Sequence, residues 1–100
     1  MSKATIKAGV CGFTTTVNAA TEDMQNVSFE IETDCPKVKN LAANLGVVDA
    51  YQELGAGRDG VIMGANMGCC LGCIVPNGIS KAMQVTAGLM LPAGCSIEIE

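Results

Sequence analysis

Residues 60–80 carry no charged side chain, and this uncharged stretch is the feature that most constrains how the chain can fold. A membrane helix needs about 20 consecutive, predominantly apolar residues. Several glycines, two asparagines and Pro76 interrupt the stretch, so we predict a globular domain and no membrane span. The stretch contains three thiols, those of Cys69, Cys70 and Cys73, within a span of five positions. Such a cluster indicates soft-ligand metal chemistry or thiol chemistry.

The composition limits both the core and the possible partners. A chain of 100 residues is expected to form a single domain, residues 1–100. Hydrophobic residues make up 49% of it but aromatic residues only 3%, so the core has to be built from Ala, Val, Ile, Leu and Met. A net charge of -4 with six scattered Lys and Arg offers no basic surface, which argues against nucleic acid as a partner. The absence of His excludes His-assisted base catalysis and His-containing metal sites.

The cysteines also bear on the compartment. The start Met1-Ser2-Lys3 is not followed by the apolar segment of a signal peptide, although the chain has six cysteines. We therefore predict that the protein is located in the reducing cytoplasm. There, clustered thiols more often bind metal or cycle between redox states than form a disulfide framework.

Period-two alternation of apolar and polar residues predicts the strands. Residues 4–10 and 13–20 read as two strands of a β-hairpin, with Cys11 at or near the turn. Residues 27–32 give the clearest third strand, and residues 95–100 alternate as a closing strand would. The glutamates of the last two segments are expected to form a solvated face of the sheet.

Helical spacing appears after the third strand. Asp34 is a plausible N-cap with Pro36 in the first turn, and the helix is expected to stop at Gly46. Residues 47–54 suit a second, shorter helix, and a further helix is expected from Pro76 to about Gly88. The prediction is an α+β fold: a mainly antiparallel sheet of about four strands, in the order β-hairpin, third strand, helices and C-terminal strand, with the helices on one face.

Residues 55–60 match the pattern G-x-G-x-x-G, which also occurs at dinucleotide sites. That fingerprint needs a strand before it, a helix after it and an acidic residue about 20 positions on. Here a predicted helix precedes it and no acid lies at that distance, so we interpret the segment as a flexible loop.

The cysteines supply the candidate site. Cys35 and Cys73 are placed at predicted helix starts, where unpaired N–H groups favour a thiolate, and Cys70 and Cys73 form a C-x-x-C motif. Together with Cys11 in the turn they make four possible ligands for zinc or an iron–sulfur cluster. Either Cys69 or Cys70 can pair with Cys73, and Cys95 reads as a small core residue.

Two other functions stay open. Cys70 and Cys73 can serve as nucleophile and resolving thiol of a thiol–disulfide redox protein. Alternatively, the apolar, glycine-rich stretch can dock on another protein or on a second copy to form a homodimer, with the cysteines merely buried.

Two segments resemble the TSCPAD-type domain, a small cysteine-containing module associated with ribonucleotide reductases. Val27-Ser28-Phe29 leading to Asp34-Cys35-Pro36 is similar to that family's strand and Cys-Pro helix start. Residues 72–82, with Cys73 before the helix, are similar to its later Cys-containing helix start. The chain also looks like small cysteine-rich microbial proteins of unknown function. The resemblance implies a metal-binding role for Cys35 and Cys73.

Overall fold

The computed structural model describes residues 1–56, 59–62, 69 and 72–100. Its elements in chain order are β1 (Ser2–Lys7), β2 (Thr14–Thr21), β3 (Asn26–Glu32), α1 (Pro36–Leu45), β4 (Val48–Asp49), α2 (Ala50–Ala56) and α3 (Val75–Thr86). The described strands form one antiparallel sheet in the order β1-β2-β3-β4, and the helices pack against it. The predicted α+β fold with a four-stranded antiparallel sheet is confirmed.

The alternation of apolar and polar side chains along the strands determines which face of the sheet the helices cover. On β2, Thr15, Val17 and Ala19 are buried, and the register sets them beside inward-facing residues of both neighbouring strands. Helix α3 lies across β1 and β2, where Ile79 and Met83 are fully buried, and α1 lies against β3. The core is aliphatic, as the low aromatic content predicts, and one face of the sheet is left to polar side chains.

The fourth strand differs from the prediction. It is Val48–Asp49, paired with the start of β3, and residues 91–100 have no regular secondary structure. The alternation in residues 95–100 therefore does not produce a strand in this chain's own sheet: these residues are exposed and pair with no described strand. Val48 pairs instead because its side chain is buried beside Val27.

The N-cap of α1 also differs from the prediction. Cys35, and not Asp34, occupies the N-cap position, with the extended backbone angles φ -73° and ψ 120°. No side chain caps this helix, although Pro36 lies at its start as expected. Asp49 directly precedes α2, and its Oδ1 accepts hydrogen bonds from the backbone N–H groups of Tyr51 and Gln52 at 3.0 and 3.2 Å.

Among the described helices, none combines the length and the apolar character that a bilayer crossing requires. The G-x-G-x-x-G segment is predicted as a loop, but its first two residues, 55 and 56, belong to α2. Residues 57 and 58 lie outside the described part of the chain.

Candidate functional site

Cysteines from three separate parts of the chain line one small cavity of about 90 Å³. It lies at the end of the sheet where β1 and β3 finish, against the starts of α1 and α3. Its wall is otherwise mostly apolar. The lining residues are Ala8, Cys11, Phe13, Thr15, Cys35, Lys37, Val38, Cys69, Gly72, Cys73 and Val75.

Cys11 reaches the cavity from the tip of the β1–β2 hairpin. The turn closes with a hydrogen bond from the Gly12 N–H to the Gly9 carbonyl at 2.9 Å, and the strands meet at the Ala8 N–H to Phe13 carbonyl bond at 3.1 Å. Gly9 and Gly12 have φ values of 85° and 76°, a region that favours glycine. Cys11 lies on this turn, where the sequence predicts it, and its side chain is exposed.

Cys35 is fixed by a short polar chain at the start of α1. The buried Thr15 hydroxyl donates to the Thr33 hydroxyl at 2.9 Å, and the Cys35 backbone N–H donates to the same Thr33 oxygen at 3.2 Å. The Cys35 carbonyl then accepts the first helical bond, from the Lys39 N–H at 2.9 Å. Because the thiol makes no capping bond, it is left to face the cavity that it lines.

Cys69 and Cys73 approach from the segment that precedes α3. Both side chains are half-buried and pack against the hydrophobic core. Cys73 comes just before the helix, whose first turn is closed by a bond from the Gly78 N–H to the Ile74 carbonyl at 3.0 Å. The position of this thiol is therefore set by the packing of α3 on the sheet.

Glu53 anchors the chain upstream of these cysteines. It is 7% exposed, and its carboxylate accepts hydrogen bonds from the backbone N–H groups of Val61 and Ile62 at 2.9 and 2.8 Å. A Cβ at Gly60 would overlap this carboxylate, so the approach depends on glycine. The sequence carries no signal for this role, because a lone Glu in an amphipathic helix usually indicates a solvated position.

The structure brings together three of the four predicted ligands. Cys11, Cys35 and Cys73 line the cavity, and Cys69, which the sequence left as an alternative to Cys70, lines it with them. Cys70 lies outside the described residues. Cys95, predicted as a core residue, is exposed and lies elsewhere. Its exposure corrects that prediction and follows from the missing C-terminal strand.

The described side chains are not yet at ligand spacing. Within the described part of the chain, no group of three or more Cys, Asp or Glu side chains is close enough together to hold a metal ion. Tetrahedral zinc with Zn–S bonds of about 2.3 Å requires sulfurs about 3.8 Å apart. Closure of the cysteines around an ion thus requires the wall of the cavity to contract.

The carboxyl groups with clearly perturbed pKa values lie at the opposite end of the sheet. The Asn26 backbone N–H donates to Asp23 at 2.8 Å, and this bond, with others from Asn26 and Gln25, holds the pKa of Asp23 well below its usual range. The Gln25 side chain donates to Asp49 at 2.7 Å and lowers the pKa of that carboxyl. Both are turn-stabilising groups and neither reaches the cavity.

Comparison with known proteins gives a family but no function. Searches of the curated proteins and of the solved structures returned no match. One family profile, described as a family of unknown function, matches residues 2–99. Because the match covers nearly the whole chain, the protein belongs to the DUF6951 family.

Proposed function

We propose that the protein binds a thiolate-liganded metal centre, zinc or an iron–sulfur cluster, in the cavity lined by Cys11, Cys35, Cys69 and Cys73. One observation carries the proposal: four thiols from three distant chain segments converge on a cavity of about 90 Å³. A tetrahedral zinc site or an iron–sulfur cluster uses four such ligands. Cys70 replaces Cys69 in the alternative ligand set that the sequence leaves open.

The degree of burial supports a chemical role over simple packing. Cys35, Cys69 and Cys73 are half-buried and Cys11 is exposed, so no cysteine among the described residues is a fully buried core residue. Thiols that line a cavity and remain partly accessible can be reached by an ion from solvent. A reducing cytoplasm, as predicted from the sequence, would keep them available as ligands.

The hairpin tip gives the site a means of closing. Cys11 lies on a turn whose neighbour Val10 is fully exposed, so few contacts resist an inward movement. Cys35 and Cys73, in contrast, are held by helices packed on the sheet. Ion binding is therefore expected to draw the turn toward two fixed thiols, and the metal-bound state should be more resistant to unfolding than the apo state.

Two features of the cavity suit a negatively charged centre: the cation of Lys37 and the apolar wall. A zinc ion with four thiolates is a net anion, and Lys37 is the charged side chain among the lining residues. A nearby cation offsets that charge, while the apolar side chains of Phe13, Val38 and Val75 limit access of water.

The first test is metal content. Protein purified without oxygen or chelators is analysed for zinc, iron and sulfide, and its visible absorption is recorded. We expect about one zinc per chain and no colour, or iron with sulfide and a brown chromophore. Replacement of zinc by Co²⁺ then reports the number of thiolates through the ligand-to-metal charge-transfer band.

Cysteine variants test the ligand set. Cys35→Ser and Cys73→Ser should each abolish stoichiometric metal, and comparing Cys69→Ser with Cys70→Ser identifies the remaining ligand. Cys95→Ser is the matched control, because Cys95 lines a different groove and its replacement should leave metal content unchanged.

Absence of stoichiometric metal from both the purified and the reconstituted protein would overturn the proposal. If the thiols then cycled reversibly between dithiol and disulfide, the result would favour a redox role for Cys70 and Cys73. If the thiols were inert, the result would favour the other alternative, in which the apolar, glycine-rich stretch docks on another protein or on a second copy and the cysteines are merely buried.

A further inference from the structure

Residues 95–100 have the sequence of a strand but no partner in the described structure. Ile97 and Ile99 alternate with Ser96, Glu98 and Glu100, yet the whole segment has no regular secondary structure and is exposed. The side chains of Ile97 and Ile99 are 72% and 91% exposed. In a strand, alternate side chains point to opposite faces of the sheet. If this segment joined a sheet, its isoleucines could face the core while its glutamates faced solvent.

An open sheet edge is available at β1. In the described structure β1 is the first strand of the sheet and pairs on one side only, with β2. Its other side borders a groove of about 780 Å³ formed with α3 and with residues 92–95. Unpaired N–H and C=O groups along such an edge are ready to accept another strand.

The two faces of the β1 edge match the two faces of residues 95–100. On the face toward α3, β1 presents Ala4 and the buried Ile6, which would adjoin the two isoleucines of an added strand. On the solvent face it presents Lys3 and Lys7, both exposed, and Lys81 of α3 also lines the groove. An added strand with this sequence would set Glu98 and Glu100 beside Lys3 and Lys7.

We propose that residues 95–100 of a second copy of this chain add to the β1 edge, and that the exchange is reciprocal in a symmetric dimer. The partner's strand would cover the groove between β1 and α3, with its isoleucines inward and its glutamates beside Lys3 and Lys7. The charges of the edge and the segment are opposite, which makes the surface self-complementary between copies.

The position of the segment is compatible with pairing to a second copy. Residues 92–95 already line the groove beside β1, yet the residues that follow remain exposed and unpaired. Reciprocal exchange of an exposed element between copies satisfies the same contacts in both directions. This inference does not depend on the metal proposal, because the β1 edge and the cysteine cavity share no lining residue.

Charge reversal on each side tests the proposal. One variant carries Lys3→Glu with Lys7→Glu, and the other carries Glu98→Lys with Glu100→Lys. Each alone places like charges on neighbouring strands in both halves of the dimer, so its dimer dissociation constant should rise about tenfold or more. Mixed in equal amounts, the two variants regain opposite charges at both edges and should form a heterodimer.

Light scattering after gel filtration measures mass, and native mass spectrometry resolves the heterodimer from the homodimers. Glu30→Lys with Glu32→Lys is the control: these glutamates are exposed on β3, away from the β1 edge, and dimerisation should be unchanged. Monomeric wild-type protein would overturn the proposal, and protection from hydrogen exchange of the β1 amides that face away from β2 would then indicate pairing within one chain. A wild-type dimer that survives both charge reversals, or a mixture without heterodimer, would overturn it too.

Discussion

Replacing Glu53 with Gln is expected to lower the free energy of unfolding by about 2–4 kcal/mol. The carboxylate is 7% exposed and accepts two backbone hydrogen bonds, from Val61 at 2.9 Å and Ile62 at 2.8 Å. Gln retains the shape but presents an NH₂ group to one of the two N–H donors. One bond to a charged acceptor, worth about 1.5–3 kcal/mol, is lost, and a buried donor is left facing another donor at a further cost of about 1–3 kcal/mol. Together these terms reach about 2.5–6 kcal/mol, and partial rearrangement around the Gln side chain brings the expected loss down to about 2–4 kcal/mol.

Urea unfolding at neutral pH measures this effect from the shift in midpoint at constant slope. Glu30→Gln is the matched control, since Glu30 is exposed on β3 and the same chemical change there should stay within about 0.5 kcal/mol of wild type. Gly60→Ala should destabilise the protein through the same contact, because its Cβ would displace the Glu53 carboxylate. A Glu53→Gln variant as stable as the Glu30→Gln control would refute the assigned hydrogen bonds. Because Ile62 leads into the cysteine-bearing segment, we also expect weaker metal binding in Glu53→Gln.

Three further predictions concern packing and pH. In urea unfolding, Gly78→Ala should lower the free energy of unfolding by about 1–2 kcal/mol, because its Cβ would overlap the Ile6 side chain. In an Ile6→Ala background this overlap is removed, and the same change should instead raise the free energy of unfolding by up to about 1 kcal/mol, because Ala favours the helix over Gly. Leu41→Ala, at a fully buried position of α1, should cost about 2–5 kcal/mol in the same assay. The pKa of Asp23 is lowered mainly by the Asn26 N–H, so its contribution to stability is present above pH about 4 and is lost as the pH falls below that value. Thermal melts between neutral pH and about pH 2 should therefore show a shallower acid dependence for Asp23→Asn than for wild type.

The sequence predicts the main elements because their signals are local. The first three strands and the helices after Pro36 and around Pro76 were all expected, with boundaries within a few residues. The end of β1 was placed too late: it ends at Lys7 because the turn begins at Gly9, whose φ of 85° interrupts extended pairing.

The missed elements depend on contacts that local pattern does not contain. Val48–Asp49 is too short to give an alternating signal, and it forms a strand because Val48 meets Val27 across the sheet. The alternation of residues 95–100 is as regular as that of β3, yet these residues pair with no described strand of their own chain. The anchoring role of Glu53 was likewise invisible, since its hydrogen-bond donors lie eight and nine residues away along the chain.

By itself the sequence determined the class of fold and indicated which side chains are candidates for chemistry. Alternating and helical periodicities specify α+β elements, and cysteines beside helix starts indicate thiol chemistry, because both depend on neighbours along the chain. Only the tertiary structure decided that Cys11, Cys35, Cys69 and Cys73 share one cavity. Their separation in the sequence is bridged when α1 and α3 pack on the same face of the sheet and bring both helix starts to the end where the β1–β2 turn lies.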